Sequence, residues 1–481
     1  MNFVFLLATL VYISILISVG VFFYFKQKNA ADFMVGSRSL NFWVTAIATH
    51  ATDMSAWIFM ALPGLVYRQG LFEAFWIAVG LVICMFLTWQ FIAPKIRIMT
   101  EKEDAPTLPA YFERRFNDTS GVLRTLSACI CVLFFTFYIS SGIVALGNTI
   151  EMAFSLSYFL GIFLGTFVMA LYTVLGGFVA IAWNHFVKGV LILTVLFIVP
   201  IFGWIKVGGM SKIFTAVQNK GISLAIIPDY SLSTVGAILV ALFSWGIGYF
   251  GIPHVLVNFM GIDDAKNMKK SQYLGTAWQI LILSFALIVG LIGIAFFADK
   301  ELVNSELVFV GMAKSLFPPL IAGLAFCAVL AAAMSTMDSQ ILVSASTIAE
   351  DLYKRFFDKK ISSKKLLIVS QIAGVVITLI SFFIAFFNRE TRILDLVQYA
   401  WSGLGASFGP LVITAFYATW ATRQGAIAGV LVGAISAAVW PHFNLPLAHA
   451  QIIPAFLLSF AAIWIVSMIS KSHFVFRKQS Q

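Results

Sequence analysis

Long apolar stretches, separated by short polar segments, run through the whole chain. A membrane-spanning α-helix needs about 20 mostly apolar residues. Thirteen stretches have roughly this length, near 3–25, 43–66, 71–94, 122–150, 156–178, 184–205, 232–257, 273–297, 318–348, 365–387, 394–419, 424–440 and 450–470. They are continuous, unlike the short alternating strands of a membrane β-barrel. The pattern predicts an all-α polytopic membrane protein with about 13 transmembrane helices.

The first stretch, 3–25, is expected to remain in the protein as a helix. It is too long for a cleaved signal peptide, and it lacks the basic start and the small-residue exit of such peptides. The polar gaps leave no room for a soluble domain, since the longest runs only from about 206 to 231. We therefore expect a single transmembrane domain over residues 1–481.

Two acidic side chains lie well inside predicted spans, where an ionised group is costly and usually functional. Asp338 is about ten residues from the predicted inner end of its span, so we expect water to relieve part of the cost. Asp53 lies deeper, within the polar segment 48–57. This segment predicts a break in the helix, because backbone carbonyls freed by a break can face a cavity. The alternative is a buried carboxyl satisfied by nearby backbone donors.

A second weak helix occurs in the seventh stretch, where three glycines and a proline fall within 245–254. These residues destabilise a helix in the middle of a membrane, although close glycine packing against a neighbour is the alternative. The two irregular spans are five spans apart and therefore run in opposite directions. This arrangement is expected of two inverted five-helix repeats, each opening with a broken helix, with binding at the midplane. The predicted repeats cover 43–205 and 232–419.

The remaining segments are predicted to be peripheral to the two repeats. They are the first helix at 3–25, two helices within 424–470 and a tail at 471–481.

The ninth stretch carries oxygen donors at helical spacing. The hydroxyls of Ser335 and Thr336 follow the carbonyl of Ala332 by about one turn. Hydroxyl and carbonyl oxygens are hard ligands that suit an alkali cation, whereas nitrogen or sulfur donors would indicate a transition metal. The alternative is that both hydroxyls bond back to their own helix. No organic cofactor is predicted.

Composition narrows the class of protein. Hydrophobic residues make up 60% of the 481 residues and charged residues 11%, so the composition excludes a soluble enzyme, a disordered protein and a secreted disulfide scaffold. The four cysteines lie in apolar runs and are expected to be small core residues. The cysteines are therefore not expected to form disulfides or to bind a metal.

The net charge of +10 is explained by membrane topology. The predicted loops on one side hold 23 of the 31 Lys and Arg residues, including Lys188. Cytoplasmic loops carry such an excess, so we expect an integral protein of the plasma (inner) membrane with its N-terminus outside and its C-terminus cytoplasmic. A nucleic-acid partner is not expected, because no soluble module offers a basic face.

Ten stretches resemble the sodium/solute symporter family over nearly the whole chain, and most strongly its proline carriers. They are GSRSL (36–40), ATDMSAW (51–57), ALPGLVY (61–67), TLPAYFERRF (107–116), FFTFYISSGIVA (134–145), YTVLGGFVAIAW (172–183), WGIGYFGIPH (245–254), AAAMSTMDSQ (331–340), EDLYK (350–354) and YAWSGLGASFGP (399–410). The resemblance implies a LeuT-type core and a sodium site between two of its helices.

The resemblance also implies particular site residues. The sodium ligands would be the carbonyls of Ala51, Met54 and Ala332 and the hydroxyls of Ser335 and Thr336. The family's essential membrane aspartate, Asp53, would lie beside them. The substrate pocket would involve Asp53, Ser55, Ala56, Trp57, Tyr138, Trp245, Tyr249 and Pro253. Aromatic faces and a small apolar lining suit a pyrrolidine ring, while polar backbone at broken helices can receive a carboxylate and an amine.

Four positions depart from the family pattern. Ala56 replaces a glycine and narrows the predicted pocket, and Ile252 replaces a glutamine, so both bear on the identity of the solute. His50 replaces a glycine just before the sodium segment. His185 replaces an aspartate that relatives link to a second sodium site or an exit route, so it bears on the number of sodium ions.

The predicted function is sodium-coupled secondary active import of a small solute, and L-proline is the first candidate. Another amino acid or a small carboxylate remains an alternative, as does proton coupling, since His50 and Asp53 are neighbours that can both titrate. A membrane-embedded enzyme is a remote alternative, because the six histidines are scattered and no HExxH motif occurs. The expected partners are the solute, sodium and the lipid bilayer, with no obligatory protein partner.

Overall fold

The computed structural model describes residues 3–25, 29–389, 391–443 and 445–479. Within these ranges the fold is helical, and the β-structure is one isolated bridge between Leu40 and Ile262. Ten helices are long and apolar enough to cross a membrane, which confirms an all-α polytopic membrane protein. Residues 26–28 of a predicted loop and the last two residues of the predicted tail lie outside the described ranges.

The helices follow one another with short connections. Their bounds are α1 Phe3–Tyr24, α2 Ala30–Val35, α3 Phe42–Asp53, α4 Ala61–Gln69, α5 Phe72–Leu87, α6 Ala93–Lys102, α7 Leu108–Arg115, α8 Val122–Phe154, α9 Tyr158–Val207, α10 Met210–Asn219, α11 Leu232–Gly246, α12 Pro253–Met260, α13 Met268–Phe296, α14 Val308–Leu316, α15 Pro319–Thr347, α16 Lys354–Phe356, α17 Ser363–Phe387, α18 Ile393–Tyr417, α19 Arg423–Val439 and α20 Ile452–Gln479. Turns of π-helix at Thr88–Ile92 and Ile348–Tyr353 join α5 to α6 and α15 to α16.

Both predicted helix breaks are present. Helix α3 ends at Asp53, and a short 3₁₀ turn at Ala56–Ile58 precedes α4. Helix α11 ends at Gly246, and a 3₁₀ turn at Ile247–Phe250 precedes α12. Pro253 opens α12 at a position where its missing N–H costs nothing. Proline also favours an extended conformation in the residue before it, which Ile252 adopts with a ψ of 109°.

The predicted spans 156–178 and 184–205 form one helix, α9, with an interruption at Gly177. The φ of 63° and ψ of −174° there lie in a region that only glycine adopts readily, so the chain turns without leaving the helix on either side. Three predicted spans are absent from the ten: the broken 43–66, the shorter Tyr158–Thr173, and 394–419.

The predicted loop position of Lys188 is wrong. Lys188 lies inside α9 and is fully buried. The charge count assigns it to a loop near the start of the predicted span 184–205, and only the fold shows that one helix continues through this point.

Apolar side chains are exposed on the outer helices and polar ones are enclosed by the inner helices. Helix α1 exposes Leu7, Leu10 and Phe22, and α17 exposes Ile372 and Phe383. These faces suit lipid, which is as apolar as the side chains themselves. The described residues of α3 from Val44 onwards, α12 and the second half of α15 are instead buried. The polar residues of the broken segments therefore face other helices.

Gly251 sets how closely the second broken helix approaches α18. A Cβ added there would overlap the backbone of Phe408 and Gly409. Backbone cannot rotate out of the way as a side chain does, so the close approach depends on the missing side chain at Gly251.

We expect Gly251→Ala to destabilise the protein by about 1–3 kcal/mol, the usual cost of overpacking. Gly236→Ala is the matched control, because Gly236 has nothing within 4 Å of the added Cβ and alanine favours helix. Thermal unfolding of both purified variants measures the difference. Equal unfolding temperatures for the two variants would contradict the close approach at Gly251.

Candidate sodium and solute site

The break after α3 frees a backbone carbonyl inside the protein. In a continuous helix the N–H of Ser55 would donate to the carbonyl of Ala51. Here the Ser55 N–H donates to the Asp53 carbonyl at 2.8 Å, and the Met54 ψ of 74° turns the chain out of the helix. The Ala51 carbonyl accepts instead from the Ser335 hydroxyl at 2.7 Å. The C-terminal end of α3 also carries a partial negative charge, so this end favours a cation.

Helix α15 meets this break with its own oxygen atoms. The Ser335 hydroxyl lies 2.9 Å from the Ala332 carbonyl as well as 2.7 Å from that of Ala51. The next side chain, Thr336, is buried, and its hydroxyl has no hydrogen-bond partner among the residues that the structure describes. A buried polar atom without a partner requires an explanation. A cation ligated by the Thr336 oxygen would provide one.

The structure thus brings together three of the five predicted sodium ligands by direct contact, namely Ala51, Ala332 and Ser335. Thr336 is adjacent on α15, and Met54 forms the turn of the break. The alternative was that both hydroxyls bond to carbonyls of their own helix. Ser335 does so, since it contacts the Ala332 carbonyl, whereas Thr336 forms no such bond in the described residues.

A further link between the two helices was not predicted. The hydroxyls of Thr52 and Ser339 are hydrogen-bonded to each other and buried. Ser339 follows Ser335 by four residues and therefore lies on the same face of α15. The spacing of polar residues along α15 could have indicated that Ser339 faces another helix. The sequence gives no signal that its partner is Thr52.

The carboxyl of Asp53 is buried and accepts a hydrogen bond from the Tyr249 hydroxyl. The Gln279 side-chain amide donates to the same Tyr249 oxygen at 3.2 Å. Within the described ranges no lysine, arginine or histidine pairs with Asp53. An ionised Asp53 would therefore have no counter-charge from the described chain, and a nearby cation would stabilise it. Gln279 was not predicted, since it lies in an otherwise ordinary span.

Aromatic side chains from both breaks form a cluster above Asp53. The rings of Trp57 and Trp245 stack with centroids 6.5 Å apart. Trp401 contacts Trp245 at 6.2 Å and Tyr249 edge-on at 5.3 Å, and its indole N–H donates to the Trp245 carbonyl at 2.9 Å. The Trp57 indole donates to the Asp53 carbonyl at 3.2 Å. Trp401 was not predicted, although it lies within one of the family-like stretches.

A cavity of about 630 Å³ reaches this cluster from one end of the helix bundle, with Trp57 and Trp245 in its lining. Polar groups of the lining include Arg68, Glu73 and Gln398. Asp53 and Tyr249 do not line the cavity. The cavity therefore reaches the stacked indoles but not the carboxyl of Asp53.

The other predicted pocket residues occupy different surroundings. Ser55 and Ala56 are buried at the break. The Tyr138 ring packs edge-on against His254 at 5.7 Å, and its buried hydroxyl has no partner within the described chain. Pro253 lines a separate cavity of about 20 Å³, together with Cys131 and other residues. The structure therefore places Trp57, Trp245, Tyr249 and Asp53 together, and Pro253 apart from them.

His50 is turned away from Asp53. Its Nε2 accepts a hydrogen bond from the Trp89 indole N–H at 3.1 Å, and its ring lies against Trp89 and Trp278. A ring nitrogen that accepts a hydrogen bond carries no proton. The two titratable neighbours in sequence therefore do not form one proton-binding unit in the fold.

Asp338 does not meet water, contrary to the expectation. It is fully buried, and the Lys188 ammonium lies 2.6 Å from its Oδ2. Tyr172 and Thr173 donate to its Oδ1 at 2.8 and 2.7 Å, and His185 Nε2 is 3.6 Å from Oδ2. An ion pair and two hydroxyls satisfy the carboxylate instead.

Broken helices that face each other across a membrane core define a class of secondary transporter, and comparisons with known proteins agree. The sodium:solute symporter family model matches residues 33–433. The chain belongs to the sodium:solute symporter family. It is 39% identical to the sodium/proline symporter of Escherichia coli K12, covering 96% of this chain and 92% of that protein. It is 38% identical to the osmoregulated proline transporter OpuE of Bacillus subtilis, covering 95% of each.

Solved structures share the fold at low sequence identity. A Na⁺-coupled sialic acid symporter in a substrate-bound outward-open state aligns with a TM-score of 0.84 and 20% identity, covering 97% of this chain and 98% of the other. The nucleobase-cation-symport-1 family transporter Mhp1 aligns with a TM-score of 0.57 and 15% identity, covering 92% and 96%. These likenesses concern the fold.

Thr336→Ala should raise the sodium concentration for half-maximal transport roughly tenfold or more, because one oxygen ligand is worth about 1–3 kcal/mol. Thr378→Ala is the control, since Thr378 is a buried threonine that donates to Gly374 of its own helix. Initial uptake rates at graded sodium measure both. An unchanged sodium dependence in well-expressed Thr336→Ala protein would remove Thr336 from the site.

Trp245→Ala should weaken solute affinity roughly tenfold or more, the usual effect of losing a tryptophan that anchors a binding surface. Sodium affinity measured without solute should change much less. Trp464→Ala, at an exposed tryptophan of α20, is the control. Binding of labelled solute to purified protein gives the affinity. If the variant loses thermal stability but keeps its solute affinity, Trp245 is a packing residue only.

Proposed function

We propose that the protein is a sodium-coupled secondary active symporter that imports a small solute, L-proline first. The observation that carries the proposal is the convergence of oxygen atoms from Ala51, Ala332 and Ser335 between the broken helix α3 and α15. Thr336 adds a buried hydroxyl without a partner in the described residues. Membership in the sodium:solute symporter family supports sodium as the co-transported ion.

The donor chemistry favours sodium over protons. Carbonyl and hydroxyl oxygens ligate a hard cation, and a proton carrier needs no such set. Asp53 supplies a negative charge without a cationic partner in the described chain. In a low-dielectric interior an uncompensated charge is costly. Sodium bound beside Asp53 would offset that cost. His50 does not take part, because its Nε2 is occupied by Trp89.

One short segment links the ion to the solute. Residues 51–57 carry the Ala51 carbonyl, Asp53 and the Trp57 ring, and Asp53 also accepts from Tyr249 of the second broken helix. Sodium bound at the carbonyl would hold this segment in place. A solute bound against the aromatic rings then encounters a site that is already ordered. Such pre-organisation gives each ligand a higher affinity when the other is bound.

Proline is the favoured solute for two reasons. The relatives named as proline transporters match almost the full length of the chain. The rings of Trp57, Trp245 and Tyr249 also offer apolar faces of the size of a pyrrolidine ring. Ala56 and Ile252 are both buried at the breaks, where they would reduce the space and the polarity of the pocket. Another small amino acid or a small carboxylate is therefore the second candidate.

The architecture that we propose has thirteen spans. It adds the broken span 43–66, the first half of α9 and α18 to the ten apolar helices, with inverted repeats over 43–205 and 232–419. The excess of Lys and Arg on one side supports a cytoplasmic C-terminus even without Lys188. The cavity of about 630 Å³ would then open to the outside of the plasma (inner) membrane.

One sequence match would suggest a serine hydrolase, but the structure does not support that function. Residues 405–409 read GxSxG, the pattern of a serine nucleophile on a sharp turn between strand and helix. Ser407 instead lies within helix α18, is fully buried and donates to the Gly403 carbonyl at 2.6 Å. A hydroxyl held in this way is not presented to a substrate.

Uptake should require an inward sodium gradient and should persist when the pH gradient is collapsed. Purified protein in liposomes, labelled proline and an ionophore for each ion provide the measurement. Asp53→Asn should lose sodium stimulation, because it removes the charge beside the site. Asp358→Asn, at an acid in the loop between α16 and α17, is the control. Equal uptake in potassium and sodium buffers at constant pH would reject sodium coupling.

A further inference from the structure

The carboxylate of Asp338 lies at a second cluster of oxygen atoms, separate from the aromatic cluster. Tyr172 and Thr173 donate to its Oδ1 at 2.8 and 2.7 Å. The Lys188 ammonium lies 2.6 Å from its Oδ2 and 3.1 Å from the Tyr172 oxygen. All four side chains are buried. A complete shell of protein groups therefore surrounds this acid.

The interruption at Gly177 makes the cluster possible. Tyr172 and Lys188 are sixteen residues apart, which corresponds to about 24 Å along a straight helix. Their side chains nevertheless meet, because α9 changes direction at Gly177. The cluster consequently joins both halves of α9 to α15 at one carboxylate.

Without the lysine, the cluster would be a cation site by its chemistry. The remaining atoms are the carboxylate, phenol and hydroxyl oxygens, which are the hard donors that alkali cations prefer, and His185 Nε2, which lies 3.6 Å from Asp338 Oδ2. An ionised Asp338 gives them a net negative charge in a low-dielectric interior, so a bound cation would offset the cost of that charge. The Lys188 ammonium supplies that cation and occupies the space between Asp338 and Tyr172.

The buried acids Asp53 and Asp338 thus have different surroundings. Asp338 has a cation that is part of the chain. Asp53 has a tyrosine hydroxyl and, in the described residues, no cationic partner. Only the surroundings of Asp53 therefore need a cation from solution.

We propose that Lys188 is a tethered counter-ion that permanently fills a second cation site, so that the transporter binds one sodium ion per cycle. This inference rests on the proposed sodium coupling. The proposal has a specific consequence. Replacing Lys188 with a small neutral residue opens a site for a monovalent cation beside Asp338, and sodium is the cation expected to bind there.

Binding of radioactive sodium to the purified transporter, without solute, tests the proposal. Wild-type protein should bind one sodium ion per chain, and Thr336→Ala should lose it. Lys188→Ala should bind two, because Asp338 regains a need for a cation. Lys188→Arg should bind one, since it keeps a tethered charge. Lys188→Ala combined with Asp338→Asn should also bind one, since the charge that attracts the second ion is gone.

The outcomes separate this inference from the proposed function. Wild-type protein that binds no sodium contradicts the proposed function. Wild-type protein that binds two sodium ions, one of which survives Thr336→Ala, contradicts the tethered counter-ion. Lys188→Ala protein that binds no more sodium than wild type also contradicts it. If Lys188→Ala alone fails to fold, the number of sodium ions bound by wild-type protein decides whether the proposal stands.

Discussion

A carbonyl that loses its helical hydrogen bond inside a membrane must find another partner, and the rest of this structure depends on how that requirement is met. The Ala51 carbonyl is released where α3 ends, and the Ser335 hydroxyl of α15 approaches it at 2.7 Å. Lipid cannot supply such a partner. The break is therefore stable only where other helices enclose it. Accordingly, the outer helices expose apolar side chains, while α12, α3 from Val44 onwards and the second half of α15 are buried.

Helix α15 brings its polar residues to two different places. Ser335 and Ser339 contact the first broken helix, and Asp338 contacts both halves of α9. One rigid helix therefore touches the segment that would hold sodium and the only fully buried lysine of the described chain. Since the interior is close-packed, a shift of α15 would alter both sets of contacts together. This is a physical basis for a transporter that changes state as a unit.

The proposed solute pocket and the proposed ion site share a segment of backbone but differ in their chemistry. The Ser335 hydroxyl meets the Ala51 carbonyl at the proposed ion site, whereas the rings of Trp57 and Trp401 both pack against Trp245. Tyr249 connects them, since its hydroxyl contacts Asp53 and its ring contacts Trp401. Each ligand would therefore order a part of the segment that the other one needs, which couples their binding without direct contact between them.

The sequence by itself determined the membrane class and the two helix breaks, because apolar length, polar residues and glycines are local signals. The grouping of Asp53, Trp57, Trp245 and Tyr249 was predicted from the family resemblance. The same resemblance also predicted the pairing of Ala51 with Ser335. Only the tertiary structure decided what surrounds each buried acid. Lys188 reads as a loop residue in the sequence, and its contact with Asp338 spans 150 positions. Such contacts depend on the turn at Gly177 and on helix packing. Neither produces a periodic pattern of apolar and polar residues in the sequence.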